Sequence, residues 1–254
     1  MHMFNQIAGK YDFLNRFLSF GIDIFWRKHF VSKALKLFNF ETQLPYNNKS
    51  YEGACVYICD LAAGTGDILI EIIKRLKKKK KRLNDKTAFI CADFSLPMLK
   101  IAKTKITAQF PKISKHVNYV ICDAENTCFK DSSLNAVFIA FGIRNFSNTK
   151  RFIEIELSRI LKPSAAMIAI LEFNNIFKIP LFKFFQKYYE VVVNMAGKFI
   201  SGHIFAYRYL VDSIKNFTCD EEIIKILKSS NYKILQYNKI LPYIVSQYIA
   251  ILNK

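Results

Sequence analysis

The residues 60–67 read Asp-Leu-Ala-Ala-Gly-Thr-Gly-Asp, between the apolar run Cys55-Val56-Tyr57-Ile58-Cys59 and the run Ile68-Leu69-Ile70-Glu71-Ile72-Ile73. The first run reads as a buried parallel strand and the second as the start of a helix packed on it. A strand, a glycine turn and a helix form the first unit of a nucleotide-binding α/β sheet. Gly64 and Gly66 flank Thr65 and let the backbone approach a ligand where a Cβ would collide. A dinucleotide fingerprint places its third glycine at 69, where this chain has Leu69. Lysine is also absent from the turn, which argues against a triphosphate loop. A glycine turn without phosphate-binding features suits S-adenosylmethionine, a cationic nucleoside that carries no phosphate.

A second apolar run, Ala88-Phe89-Ile90-Cys91-Ala92, ends at Asp93. Ligands of open α/β sheets sit at the carboxyl ends of the strands, where an acid can accept both ribose hydroxyl protons. The separation from the glycine turn exceeds the roughly 20 residues of the dinucleotide pattern, and the basic stretch 77–82 accounts for the extra length. A third run, 117–122, ends at Asp123-Ala124-Glu125. Asp123 is placed to bond an adenine amino group, and the small Ala124 leaves room for the ring. A lone aspartate after a strand is commonly a turn or helix cap; its repetition after two successive strands is what a cofactor crevice needs.

A fourth run, Ala136-Val137-Phe138-Ile139-Ala140, leads into Phe141-Gly142-Ile143-Arg144-Asn145-Phe146. This motif combines with Lys10-Tyr11-Asp12-Phe13-Leu14-Asn15, Leu18-Ser19-Phe20-Gly21-Ile22-Asp23, Trp26-Arg27-Lys28, Leu171-Glu172-Phe173 and Ala206-Tyr207-Arg208-Tyr209-Leu210. On these residues the chain closely resembles the C-methyltransferases of menaquinone and ubiquinone biosynthesis, over nearly its whole length. The resemblance implies a class I S-adenosylmethionine-dependent methyltransferase, a Rossmann-like α/β fold with a seven-stranded, mostly parallel sheet. By motif match it implies cofactor contact at Thr65, Asp93, Asp123, Ala124 and Ala140, beside the glycines 64 and 66. The implied substrate is a polyprenyl quinol, with demethylmenaquinol favoured and the ubiquinone precursor as the alternative. Arg144 is then the expected electrostatic stabiliser of the ring phenolate, with Asn145 orienting that oxygen or a bridging water. Asp67 or Tyr11 would polarise a water that takes the hydroxyl proton. Two departures stand out. Lys162-Pro163-Ser164-Ala165 replaces a turn that usually carries two glycines, so a turn conformation tolerant of side chains is expected. The last strand carries Val245-Ser246-Gln247-Tyr248 where relatives commonly have a histidine.

The 254 residues suffice for one α/β domain with a substantial core. Residues 1–50 show no strand pattern and read as a helical lid, 39–53 as a polar connection, and 55–254 as the core. Cover helices are expected around 176–215, where aromatics and lysines mix over 176–189. That stretch reads as a core-facing amphipathic helix or as a greasy entrance for a prenyl tail. Among the histidines, His29 reads as structural and His203 as a candidate for the substrate cavity. The cysteines at 55, 59, 91, 122, 128 and 219 lack the paired spacing of a zinc site; no metal is expected. Several sit in expected buried strands as small hydrophobes, and the pattern fits a reducing compartment.

The net charge of +18 admits three readings: a solvated surface from biased composition, contact with an anionic membrane, or RNA. No RNA-binding signature is present. No signal peptide and no membrane-spanning run are visible, so a cytoplasmic enzyme is expected, with peripheral contact at the inner face of the membrane and room for a homodimer. The minor alternatives are a basic RNA methyltransferase and a non-catalytic cofactor-binding subunit of a quinone-biosynthesis complex.

Overall fold

A computed structural model describes residues 5, 8–38, 55–78, 87–163, 165–174, 209, 213–214, 217, 220–240 and 243–253. Seven strands form one sheet: β1 Val56–Leu61, β2 Thr87–Asp93, β3 Val117–Ile121, β4 Ala136–Ala140, β5 Met167–Phe173, β6 Tyr232–Ile240 and β7 Val245–Leu252. Their order is β3-β2-β1-β4-β5-β7-β6. The first five run parallel, and β7 inserts antiparallel between β5 and β6. The chain reverses its order between β1 and β4, and such a switch point opens a crevice at the carboxyl ends of the strands. The seven-stranded, mostly parallel expectation is borne out.

Both sheet faces are covered, which is why the strands read as continuous apolar runs. The helices are α1 Tyr11–Leu18, α2 Ile22–Leu37, α3 Asp67–Lys78 and α4 Leu96–Gln109. Residues 149–160 make α5, whose turns over Phe152–Leu157 are wider than α-helical, and Asp220–Ser229 makes α6. Trp26 and Phe30 of α2, Ile72 of α3 and Ala102 of α4 pack with Phe89, Phe138 and Leu171 on one face. Phe152 and Leu157 of α5 and Leu227 of α6 pack with Val137, Ile139, Ile168 and Tyr248 on the other. Even and odd positions of β4 therefore serve different cores. α4 starts where Ser95 accepts the Met98 amide at 3.4 Å, with Pro97 in the first turn.

The turn before β5 departs from the sequence-based expectation. Ala165 has φ +67, in the left-handed region that glycine enters freely. The turn keeps a glycine-type backbone with a side chain on it, at a cost of roughly 1 kcal/mol. Ser164, the connection at 39–53, the stretch 176–189, His203 and the cover helices near 176–215, apart from Tyr209 and residues 213–214, lie outside the described residues. Among the described residues no helix is long and apolar enough to cross a membrane.

Candidate active site

β1 ends at Leu61, and the chain turns through Ala62 (φ +56), Gly64 (φ +54) and Gly66 (φ +78) into α3. A Cβ on Gly66 would stand 3.0 Å from the Ala102 Cβ, so glycine is needed here for both conformation and space. Gly142, after β4, is needed for space alone: its Cβ would lie 2.8 Å from the Ala62 Cβ. The two loops at the switch point thus approach more closely than side chains allow.

Asp93 closes β2 and ties this corner together. Its Oδ2 accepts the Gly64 amide at 2.8 Å and its Oδ1 the Ser95 amide at 2.8 Å. Burial pushes its carboxyl up, opposed by the Ser95, Gly64 and Phe94 amides. Asp60 lies deeper, and burial raises it to about 8 although the Leu69 amide, 3.1 Å away, opposes the shift. Asp123 accepts the Glu125 amide at 2.9 Å, beside buried Ala124. Glu125 accepts the Ser147 amide at 2.7 Å and the Asn148 amide at 2.8 Å, fastening the loop after β3 to the loop after β4.

These elements enclose a cavity of about 250 Å³. Its wall includes Tyr11, Gly64, Thr65, Asp67, Asp93, Asp123, Ala124, Ala140 and Asn145, which the sequence had marked, together with Phe141, Tyr209 and others. Gly66 and Arg144 are not among the wall residues. The charge of the wall is its most telling property. Five carboxyl groups, Asp60, Asp67, Asp93, Asp123 and Glu125, line it with one guanidinium, Arg27. Asp60, raised to about 8, is largely neutral at neutral pH and Asp67 is ion-paired, which leaves the negative charge of the wall to Asp93, Asp123 and Glu125. A chain with net charge +18 has gathered acids at the mouth of its sheet. Such a wall favours a cation and repels phosphate.

The lid is bound to this site by ions. Asp12 of α1 accepts the Thr65 hydroxyl at 2.6 Å and the Lys105 ammonium at 2.8 Å. Lys105 also reaches Asp67 at 2.5 Å, and Arg16 reaches Asp67 at 2.6 Å. Arg16 and Arg27 both pair with Asp23. Burial acts to raise the Asp67 carboxyl, but Arg27, Lys105 and Arg16 outweigh it and hold it at about 2. A carboxylate so weakly basic is a poor proton acceptor at neutral pH. The Asp67 carboxylate also holds α1 and α4 to the glycine turn. Asp12 and Asp23 stood in the sequence motifs without an assigned role, and Arg16 and Lys105 were not marked, since the pairs form between distant segments.

Arg144 is held by several neighbours. Its Nη1 donates to Glu172 Oε1 at 2.8 Å and to the Phe141 carbonyl at 2.5 Å, and its Nε to the Ser213 hydroxyl at 3.3 Å. Glu172 is fully buried in β5 and also accepts the amides of Phe173 at 2.8 Å and Arg144 at 3.3 Å. Among the described residues Nη2 of Arg144 donates to nothing. The guanidinium is therefore aimed by a carboxylate and keeps one nitrogen in reserve. Asn145 Oδ1 accepts the Tyr209 hydroxyl at 3.0 Å, and burial pushes the Tyr209 phenol up, partly offset by Arg144. Phe141, which lines the cavity, packs on Phe173 with ring centres 4.8 Å apart and on Trp26 at 6.2 Å. On β7, Tyr248 donates to Asp220 and lies on the opposite sheet face. Gln247 is fully buried with neither amide atom bonded among the described residues, in register with Leu171.

Comparison with known proteins adds an independent line. A model of the ubiE/COQ5 methyltransferase family matches residues 1–251. A demethylmenaquinone methyltransferase of Thermus thermophilus is 33% identical over 232 residues, covering 91% of this chain and 92% of that protein. A ubiquinone/menaquinone biosynthesis C-methyltransferase UbiE of Rickettsia felis is 31% identical over 249 residues, covering 98% and 90%. Among solved structures, an S-adenosylmethionine-dependent methyltransferase from Aquifex aeolicus superposes with TM-score 0.52 at 18% identity, covering 87% of this chain and 98% of that one. A geranyl diphosphate C-methyltransferase from Streptomyces coelicolor, solved with S-adenosyl-L-homocysteine, gives 0.57 at 10% identity, covering 87% and 76%. At these identities the structures establish the fold alone.

Proposed function

The chain belongs to the ubiE/COQ5 methyltransferase family, and from that membership we propose that it methylates a ring carbon of demethylmenaquinol, using S-adenosylmethionine. The observation that carries the cofactor is the acidic wall around a phosphate-free glycine turn. Bound there, S-adenosylmethionine would supply an electrophilic methyl group on a sulfonium sulfur, which would leave with its electron pair as a neutral thioether while the ring carbon that gains the methyl loses its proton to solvent. Asp93 holds the ribose hydroxyls, Asp123 the adenine amino group beside Ala124, and Gly64, Thr65 and Gly66 shape the turn. Ala140, without bulk, leaves space near the reacting centre.

The chain's part in the chemistry is alignment and charge. A neutral phenol is a weak carbon nucleophile, and its phenolate is stronger. Nη2 of Arg144, aimed by Glu172, stabilises the ring oxygen as it gains charge. Asn145 and Tyr209 orient that oxygen, and Tyr11 orders the water that takes the hydroxyl proton. The aromatic cluster of Trp26, Phe141 and Phe173 excludes bulk solvent. The ubiquinone branch is the second reading, because relatives named for both pathways match at similar identity. Peripheral contact with the cytoplasmic membrane and self-association into a dimer belong to the same proposal.

Calorimetric titration tests the wall. S-adenosylmethionine is expected to bind at micromolar concentration, while NADH at the same concentrations gives no heat. Tight NADH binding would contradict the reading of the acids.

A further inference from the structure

α1 is turned inside out. Its charged side chains face the protein, Asp12 on Thr65 and Lys105, Arg16 on Asp67 and Asp23. Two of its three aromatic side chains face away: Phe13 is 61% exposed and Phe17 48%, and the two rings stack at 6.1 Å; Tyr11 lines the cavity and Leu14 is buried. The apolar surface continues through Phe20 at the tip of the turn to Ile22, Ile24 and Phe25 at the start of α2. Six of the thirteen large apolar side chains exposed among the described residues thus fall between residues 13 and 25. Scattered exposed apolar residues need no explanation, but a run of this kind marks an interaction surface.

Charge identifies what it meets. Between residues 8 and 38 the acids are Asp12 and Asp23, and both are turned inward into ion pairs. The exposed charges of the same segment are cations, Lys10, Lys28 and Lys36. Exposed phenylalanines on a segment whose exposed charges are all lysines match an interface of acyl chains and anionic headgroups. A second copy of the same surface would bring like charges together. We infer that the outer face of the α1–α2 hairpin docks on an anionic lipid surface, inserting Phe13, Phe17 and the neighbouring apolar side chains. The choice of lipid rests in part on the proposed polyprenyl substrate, which resides in a bilayer. Because α1 lies directly on Thr65 and Asp67, docking would set the cavity mouth next to the membrane.

Flotation of the full chain with vesicles of phosphatidylcholine containing one-quarter phosphatidylglycerol tests this. The chain is expected to float, and Phe13→Ser/Phe17→Ser to bind about tenfold more weakly or worse, with unchanged thermal midpoint and unchanged S-adenosylmethionine affinity. Phe25→Ser is expected to weaken flotation independently, and pure phosphatidylcholine vesicles to bind less than anionic ones. A wild-type chain that stays at the bottom, or serine variants that float as well as wild type, overturns the inference. So does a dimer that the same substitutions dissociate, which would make the face a self-interface. Methylation of a tail-less demethylated naphthoquinol in vesicle-free buffer reports separately on the proposed reaction, so either idea can fail without the other.

Discussion

Replacing Asp93 by alanine is expected to weaken S-adenosylmethionine binding about a hundredfold or more. Hydrogen bonds to a charged acceptor contribute about 1.5–3 kcal/mol each, and the ribose offers two. The same carboxylate holds the amides of Gly64 and Ser95, so its loss also frees the glycine turn from the end of β2. Asp93→Asn retains acceptor capacity and is expected to fall between the two. Calorimetry with S-adenosylmethionine and with S-adenosylhomocysteine measures both, since the ribose is common to them. An Asp93→Ala chain that binds either with wild-type affinity would remove Asp93 from the cofactor site.

The second large effect is at Arg144. Alanine there removes the proposed phenolate stabiliser and leaves Glu172 buried with its charge uncompensated. Breaking a buried pair by deleting one partner costs about 3–5 kcal/mol of stability, and losing a donor to developing negative charge costs about a hundred- to a thousandfold in rate. The two losses separate in a second variant. Arg144→Ala/Glu172→Gln removes the stranded charge, so most of the stability is expected to return while turnover stays low. Thermal melts report the first quantity and single-turnover rates the second. Recovery of rate together with stability would mean that Arg144 serves the fold alone.

The proposed cofactor half of this site could be read in the sequence because buried parallel strands are apolar runs with sharp polar ends. Asp93 and Asp123 stand at such ends, and the structure places both in the cavity wall. The absence of glycine at 69 was informative for a similar reason: Leu69 is fully buried where α3 meets the sheet. The lid network was not legible. Arg16 meets Asp67 across 51 positions and Lys105 meets Asp12 across 93, and no local pattern encodes such pairs. Periodicity was equally silent on the direction of α1. Phe13 and Phe17 are spaced by four, and so are Asp12 and Arg16; that spacing defines two faces without saying which one points inward. Arg144 stood out by its motif, but its engagement with Glu172 depends on β4 and β5 being neighbours in the sheet. The left-handed Ala165 shows the limit for turns, where a backbone conformation normally reserved for glycine persists under a side chain.

The most direct test of the account is single-turnover transfer of a labelled methyl group from S-adenosylmethionine, offered in parallel to reduced demethylmenaquinone and to the demethylated ubiquinone precursor. Label on a ring carbon of the naphthoquinol, absent with Asp93→Ala at the same cofactor concentration, is the predicted result. Label on the benzoquinol alone would move the chain to the ubiquinone branch. No label on either, from a chain that binds S-adenosylmethionine normally, would contradict the assignment of a quinol as substrate.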